Sequence, residues 1–428
     1  MSSAAERLLP PLPDGWIATP LRYGSTCLDG TRVPLNAEER TKRQGDYPYW
    51  GANGIVDYID EYQFDEPLVL VGEDGAPFFD KAKPVAFFVN GKIWVNNHIH
   101  VLRVDQKLEP RFVVHALNAT DFGPWIEGST RDKLTQDKMG SILLPTPPLS
   151  RQRAIADYLD RETARLDALV AAKERVLGLL TEKRRALITR AVTSGLDPRA
   201  PLRDSGIPWL GDIPAHWAVK RLKFLVNKIE QGWSPECYST AASIEEWGVL
   251  KAGCCNGGRF NPEENKALPP DREVPVDLEV RPGDVLMSRA SGSTELIGSV
   301  ALVPADVRTR LLLSDKTYRL GIAPEQAIAP YLVSVLGSGL GRFQIQRVIS
   351  GAAGLANNIA QGDINEFVLP QPAESEQRAI VAYIDDKTAG LDTLRAATER
   401  TIALLTERRA ALIAAAVTGQ INVPEAVS

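Results

Sequence analysis

The sequence predicts an α+β protein in which two globular modules alternate with two long helices. The helices are expected to form an antiparallel coiled coil, and the two halves to be related by a pseudo-two-fold internal repeat. Three observations predict this. A stretch of about 53 residues beginning at Leu144 recurs from Leu369 with no gap and about 30 identities. Both copies are highly charged and apolar-periodic, and both open on a proline-rich lead-in, "LPTPP" and "LPQPA". The segments between them are rich in Gly, Pro, Val and aromatic residues, with turn signals separating short apolar runs. The chain accordingly divides into a module at 1–148, a helix at 149–196, a module at 197–372, and a helix with its tail at 373–428.

In the first module, "YPYWGANGIVDYIDEY" reads as a strand, an Asn53-Gly54 turn and a second strand. "EPLVLVGEDGAPFF" and "KPVAFFVNGKIWVNNHIHVLRV" supply further strands, broken at Asp-Gly and Asn-Gly. A curved, mostly antiparallel sheet is expected.

The first long helix follows. Ser150 is placed to cap it and Gly195 to stop it. Its apolar seam runs Ile155, Leu159, Leu166, Leu169, Val176, Leu180 and Leu187, at spacings of 3, 4 or 7, with Glu162, Lys173 and Lys183 as polar interruptions.

The linker "DPRAPLRDSGIPWLGDIP" is Pro- and Gly-rich and marks a boundary. The second module opens on "IPAHWAVKRLKF", an echo of "LPDGWIATPLRY", with Pro13/Pro214, Trp16/Trp217 and Leu21/Leu222 in step. It closes on "GLANNIAQGDINEFVLPQPA", an echo of "STRDKLTQDKMGSILLPTPP" that aligns Gln136 with Gln361. The middles do not align, so a common frame carries different contents. In the second helix Ser375 is the expected cap, Gly419 the stop, and Ile380, Ile384, Leu391, Leu394, Leu405 and Leu412 the seam.

A helix of about 40 residues spans roughly 60 Å. One bearing a single apolar seam cannot bury it alone. The other copy, of matching length, is the natural partner. Connectivity makes the pair antiparallel and places the modules at opposite ends of a rod. Loops tolerate insertions but a spacer does not, so the ungapped repeat favours a rod of set length.

Of 428 residues, 44% are apolar, enough for two or three cores. No run of eighteen apolar residues occurs and the N-terminus lacks a signal-peptide pattern, so a cytoplasmic protein with no membrane contact is expected. Cys27, Cys237, Cys254 and Cys255 contain no CxxC pair and read as free thiols; with four histidines (His98, His100, His115 and His216), no metal site is expected. The net charge of −5 weighs mildly against a nucleic-acid binder, although local patches set the field that a phosphate backbone feels. There is no GxxxxGK[ST] loop, no adenine-methyltransferase tetrad ("FNPEEN" lacks its second proline and aromatic residue) and no Gly-x-Ser-x-Gly turn. The pattern is that of a reader with no catalysis and no cofactor of its own.

The lead-ins "LPTPPLSRQRAI" and "LPQPAESEQRAI", with "SGIPWLGDIPAHWAVKRLK", "YWGANGIVDYID" and "ISGAAGLANNI", resemble those of type I restriction-modification specificity subunits over almost the whole chain. The first lead-in departs by carrying Arg151 in place of the usual Glu, and the second by carrying "AES". The resemblance implies two target-recognition domains, each reading half of a split double-stranded DNA sequence, with the coiled coil setting the unread gap. It also implies two methyltransferase (modification) subunits using S-adenosylmethionine. Where the system has them, two restriction subunits using ATP and Mg would complete the complex.

On that footing, the candidate DNA contacts in the first module are Tyr49 and Asn53 at the hairpin, and Arg131 and Lys133 in the polar loop before the helix. In the second module they are Arg289, Ser291 and Ser293 in "MSRASGST", and Asn357, Asn358 and Gln361, whose amides suit adenine. Hairpin and turn chemistry alone would account for several of these equally well. The competing function is a two-headed adaptor that joins proteins without reading DNA.

Overall fold

In the computed structural model, residues 9–127, 132–349 and 357–424 are described. The chain forms two compact units, Met1–Val176 with Ala397–Ser428, and Leu177–Ala396. The two long helices, Leu149–Ser194 and Glu374–Val417, are 46 and 44 residues long. Each therefore contributes one part to each unit. Each helix starts one residue before the serine expected to cap it, so Ser150 and Ser375 lie inside the first turn, behind the lead-in prolines. The stops are as the glycines predict. Gly195 and Gly419 adopt φ of 70° and 72°, a region costly for a side-chain-bearing residue. A Cβ on Gly419 would also lie 2.5 Å from Pro13, and one on Gly195 3.2 Å from Trp217.

Within the first unit, Ile155 and Leu159 share a core with Ile413 and Val417, and further along Asp167 meets Arg409. Advancing on one helix means retreating on the other, so the pair is antiparallel. Within the second unit, Val192 shares a core with Ile380 and Ile384, while Arg184 meets Asp392, again in antiparallel sense. The fold is α+β, two modules and two long paired helices.

The seam departs from expectation at two repeat-related positions. Leu169 is 44% and Leu394 49% exposed. With about 3.6 residues per turn, positions four and seven beyond Leu166 lie nearer the seam than position three. Val170, Lys173 and Leu177 are accordingly half-buried in its place. Beyond Leu391 the inward position is Thr398, at 4% exposure. Ile155, Leu159, Leu166, Leu180, Ile380 and Ile384 are buried, and Val176, Leu187, Leu391, Leu405 and Leu412 half-buried.

Each module hangs on a frame strand paired to the strand that precedes its helix. Ile17–Pro20 pairs antiparallel with Leu143–Thr146, and Ala218–Arg221 with Val368–Gln371 in the same register. The backbone N–H of Leu21 then donates to the carbonyl of Ile142 at 2.9 Å, and that of Leu222 to Phe367 at 2.7 Å. Behind this frame both modules carry an antiparallel four-stranded sheet of one topology. Its order is Ser25–Cys27, Ile99–Val104, Leu68–Gly72, Ala86–Val89 in the first module. In the second it is Val226–Gln231, Thr317–Ile322, Val285–Ser288, Val300–Leu302. The middles that fail to align in sequence thus share their central sheet. What differs is the second layer. The first module has a four-stranded sheet around the hairpin Gln44–Gly51 and Gly54–Ile59, including a parallel pairing with Lys92–Val95. The second has a three-stranded sheet of Asn265–Ala267, Gly248–Leu250 and Leu311–Leu312.

Candidate nucleic-acid interface

The exit of the central strand builds a ledge in each module. In the first, Leu68–Gly72 runs out into Glu73, Asp74 and Gly75, and the segment before the long helix returns alongside. Asp74 and Lys133 form a β-bridge, the N–H of Leu134 donates to the Glu73 carbonyl at 2.7 Å, and that of Gly75 to Asp132 at 3.2 Å. The Asn53 side-chain amide donates to the Gly75 carbonyl at 3.3 Å. Asn53 and Lys133, eighty positions apart, therefore flank one turn. Both are exposed, and the Lys133 ammonium lies 3.2 Å from Glu73. The Asp74 carboxylate sits 2.6 Å from His98.

In the second module Val285–Ser288 runs out into Arg289, Ala290 and Ser291. Ala290 pairs with Asn358 and Ser291 with Asn357, and the N–H of Ile359 donates to the Arg289 carbonyl at 3.1 Å. The expected residues Arg289, Ser291, Asn357 and Asn358 thus come together on one short antiparallel ladder. The repeat offset of 225 that aligns the two helices places Asn358 on Lys133, and both bridge the residue two beyond their central strand.

Several assignments change. Tyr49 is 1% exposed, packed with Ile59 and Trp94. Its hydroxyl accepts from the Leu35 N–H at 3.0 Å, the Arg40 guanidinium lies 5.3 Å from its ring centre, and burial raises its phenol. The strand's alternation turns it inward, so it is a core residue and contacts no DNA from there. Arg131 lies outside the described residues. Arg289 is half-buried. Its Nε donates to the Tyr318 hydroxyl at 3.0 Å and its Nη1 to the Asp315 carbonyl at 3.2 Å. The Ser291 and Ser293 hydroxyls accept the backbone N–H groups two residues on, at 3.1 and 3.3 Å, as turn-forming serines do. Asn357 is 8% exposed, and Gln361 is half-buried as the first residue of the helix Gln361–Asn365.

Beneath the first ledge lies a charged cluster. His100, 1% exposed, faces the Asp29 carboxylate through Nδ1 at 2.5 Å and the Leu134 carbonyl through Nε2 at 2.8 Å. Arg32 is 3.4 Å from Asp29 and 2.7 Å from Glu73. Burial would raise the Asp29 carboxyl, but hydrogen bonds and charge from His100, then Val101 and Arg32, bring it below its ordinary value. Cys27 completes a Cys27–Asp29–His100 triangle with donor atoms within 4.8 Å of one another. Burial pushes that thiol up to about 11, and both imidazole nitrogens already have partners, so the three groups are wired as a hydrogen-bond network.

Residues 28–177 match the family described as type I restriction modification DNA specificity domain. A putative type I restriction enzyme specificity subunit of Haemophilus influenzae is 38% identical over 145 residues, 34% of this chain and 37% of that one. The EcoKI specificity subunit of Escherichia coli is 22% identical over 436 residues, covering 96% of this chain and 90% of that one. The chain carries a type I restriction modification DNA specificity domain at residues 28–177 and is similar to type I restriction enzyme specificity subunits. Its stronger matches are local: it spans about a third of the length of two of these specificity subunits, 37% and 33%. A solved structure concerned with assembly and conformational transition of the type I R-M system shares the fold, with a TM-score of 0.61 at 18% identity over 96% of this chain and 100% of that one.

The lead-in that carries the family resemblance has a physical job. Gln152 and Gln377, one per copy, are each 1% exposed. Gln152 accepts from the Glu109 N–H at 2.9 Å and donates to the Pro147 carbonyl at 2.8 Å. Gln377 does the same with Ile328 and Pro372, both at 3.0 Å. Each glutamine ties the proline lead-in to the start of the module's own helix, Pro110–Ala119 or Ala329–Leu336. Sequence reasoning missed these pins, together with Glu73, His100 and Tyr318. Only the repeated Gln signalled them.

Proposed function

We propose that this chain is the DNA-reading, non-catalytic subunit of a type I restriction-modification complex, acting in the cytoplasm. Residues 1–148 and 197–372 each read one half of a bipartite double-stranded target. The helices at 149–196 and 373–428 set the gap between halves and carry two methyltransferase subunits, which use S-adenosylmethionine. Where the system includes them, two restriction subunits using ATP and Mg join. The observation that carries this reading is the pair of ledges. One backbone device occurs in both modules, and it carries Asn53 and Lys133 in one and Asn358 in the other. A shared scaffold with unlike polar contents is what reading two unlike half-sites requires.

Scaffolding is supported by the outward faces of the helices. Leu169 and Leu404 are 44% and 65% exposed in the first unit, Leu179 and Leu394 64% and 49% in the second. The repeat relates one pair to the other, so each unit carries an equivalent pair of exposed leucines, in keeping with two partner copies. The test is a module exchange. Replacing residues 1–148 by those of a relative changes one half of the methylated sequence and leaves the other intact. A change in both halves, or in neither, rejects the modular reading. Gel-shift titration of the chain with its methyltransferase at stated salt separates DNA reading from protein adaptation alone.

A further inference from the structure

The ledges share a support built from unlike residues. His100 pairs with Val71 across the central sheet of the first module, and Tyr318 with Met287 across that of the second. Both side chains are buried, at 1% and 2% exposure. His100 Nε2–H donates to the Leu134 carbonyl at 2.8 Å, and the Tyr318 hydroxyl donates to the Ile359 carbonyl at 3.1 Å. Leu134 and Ile359 occupy one repeat position, immediately after Lys133 and Asn358.

Each donor is itself held from behind. His100 Nδ1 lies 2.5 Å from one Asp29 oxygen, and the other Asp29 oxygen accepts from the Val101 N–H at 2.9 Å. Arg32 connects Asp29 to Glu73, and Glu73 lies 3.2 Å from the Lys133 ammonium. Tyr318 receives a hydrogen bond from Arg289 Nε at 3.0 Å. The chain thus runs from a buried donor, through a ledge carbonyl, to the side chain next to it, exposed at Lys133 and half-buried at Asn358. If these positions only filled space, an apolar residue would serve at each. Instead, imidazole and phenol converge on one carbonyl contact.

We infer that His100 and Tyr318 are positioning residues, one per half-site, that hold Lys133 and Asn358 in register for base contact. This rests on the ledges being the DNA-reading surfaces. A ledge joined to its strand by few backbone bonds can slide or tilt. A buried side-chain donor fixes its carbonyl, and deleting the donor leaves that carbonyl unpaired.

The experiment uses the full chain assembled with its methyltransferase. Equilibrium binding at fixed salt compares the cognate duplex with duplexes substituted in one half-site or the other. Tyr318→Phe keeps the ring and removes the hydroxyl. It is expected to lower discrimination about tenfold at the half-site of the second module and to leave the other unchanged. His100→Leu is expected to do the reverse. His100→Gln, whose amide can still donate to Leu134, restores most of the lost discrimination. Amide exchange at Ile359, whose N–H bonds the Arg289 carbonyl, should quicken in Tyr318→Phe. Unchanged discrimination, or an equal fall in both halves, overturns the inference, as does a lowered melting temperature with discrimination intact. Should His100→Leu fail to assemble, Tyr318→Phe decides alone. A wild-type complex with no half-site discrimination refutes the DNA-reading function itself, and the inference falls with it.

Discussion

Arg184 meets Asp392 through one guanidinium nitrogen, 2.9 Å from one carboxylate oxygen and 3.0 Å from the other. The repeat offset carries Arg184 onto Arg409 and Asp392 back onto Asp167, and those two also pair, at 2.8 Å. Each helix gives its arginine to one bridge and its aspartate to the other. A duplicated helix lying antiparallel to its own copy can make one contact twice, as an isologous interface does. Both pairs are partly exposed, so they set register more than they stabilise.

Reversing one charge tests the register. Asp167→Arg should lower stability by about 1 kcal/mol or less, and adding Arg409→Asp should restore it. In the second unit, Asp392→Arg with Arg184→Asp restores less, because Arg259 also contacts Asp392, at 2.5 Å. Chemical denaturation of the two double-mutant cycles measures the difference.

The seam correction separates two leucines ten residues apart. Leu159→Ala should cost about 2–5 kcal/mol, since the residue is fully buried. Leu169→Ser should change stability by no more than about 0.5 kcal/mol. In combination with Leu404→Ser it should nevertheless weaken methyltransferase binding, measured by calorimetry against the wild-type chain.

Gln152→Leu and Gln377→Leu each leave a buried backbone N–H and a proline carbonyl without their partner. Each should destabilise its own unit by about 1–3 kcal/mol, and Gln→Glu should not restore it, because the donor is lost. Limited proteolysis near Pro147 or Pro372 reports which unit loosens.

The junction of the first module with its helix should depend on pH. Asp160 accepts from His115 at 2.7 Å and from Arg111 at 2.9 Å. The His115 hydrogen bond, against burial and aided by Arg111, holds its carboxyl below the ordinary value. A depressed carboxyl stabilises the fold above its unfolded pKa, near 3.9, and that contribution is lost as pH falls through the lower folded value. Melting temperatures between about pH 5 and 2 should therefore fall less steeply in Asp160→Asn than in wild type.

Much of this protein was legible in its chain. Two helices, their stops at Gly195 and Gly419, the shared frame around Trp16 and Trp217, and the family resemblance follow from local pattern and repetition, which need no knowledge of what lies across the fold. Period alone also placed Ile155, Leu159, Ile380 and Ile384 inward. It could not separate Leu169 from Val170, because either fits an apolar helix and only the partner's position chooses. Tyr49 was misjudged for the same reason: a strand has two faces, and Ile59 and Trp94 decided which one was core. The common sheet of the two modules, and the meeting of Asp74 with Lys133 and of Ala290 with Asn358, were decided by tertiary structure. Such pairings join residues dozens of positions apart through backbone hydrogen bonds that any side chain permits, so no residue pattern announces them.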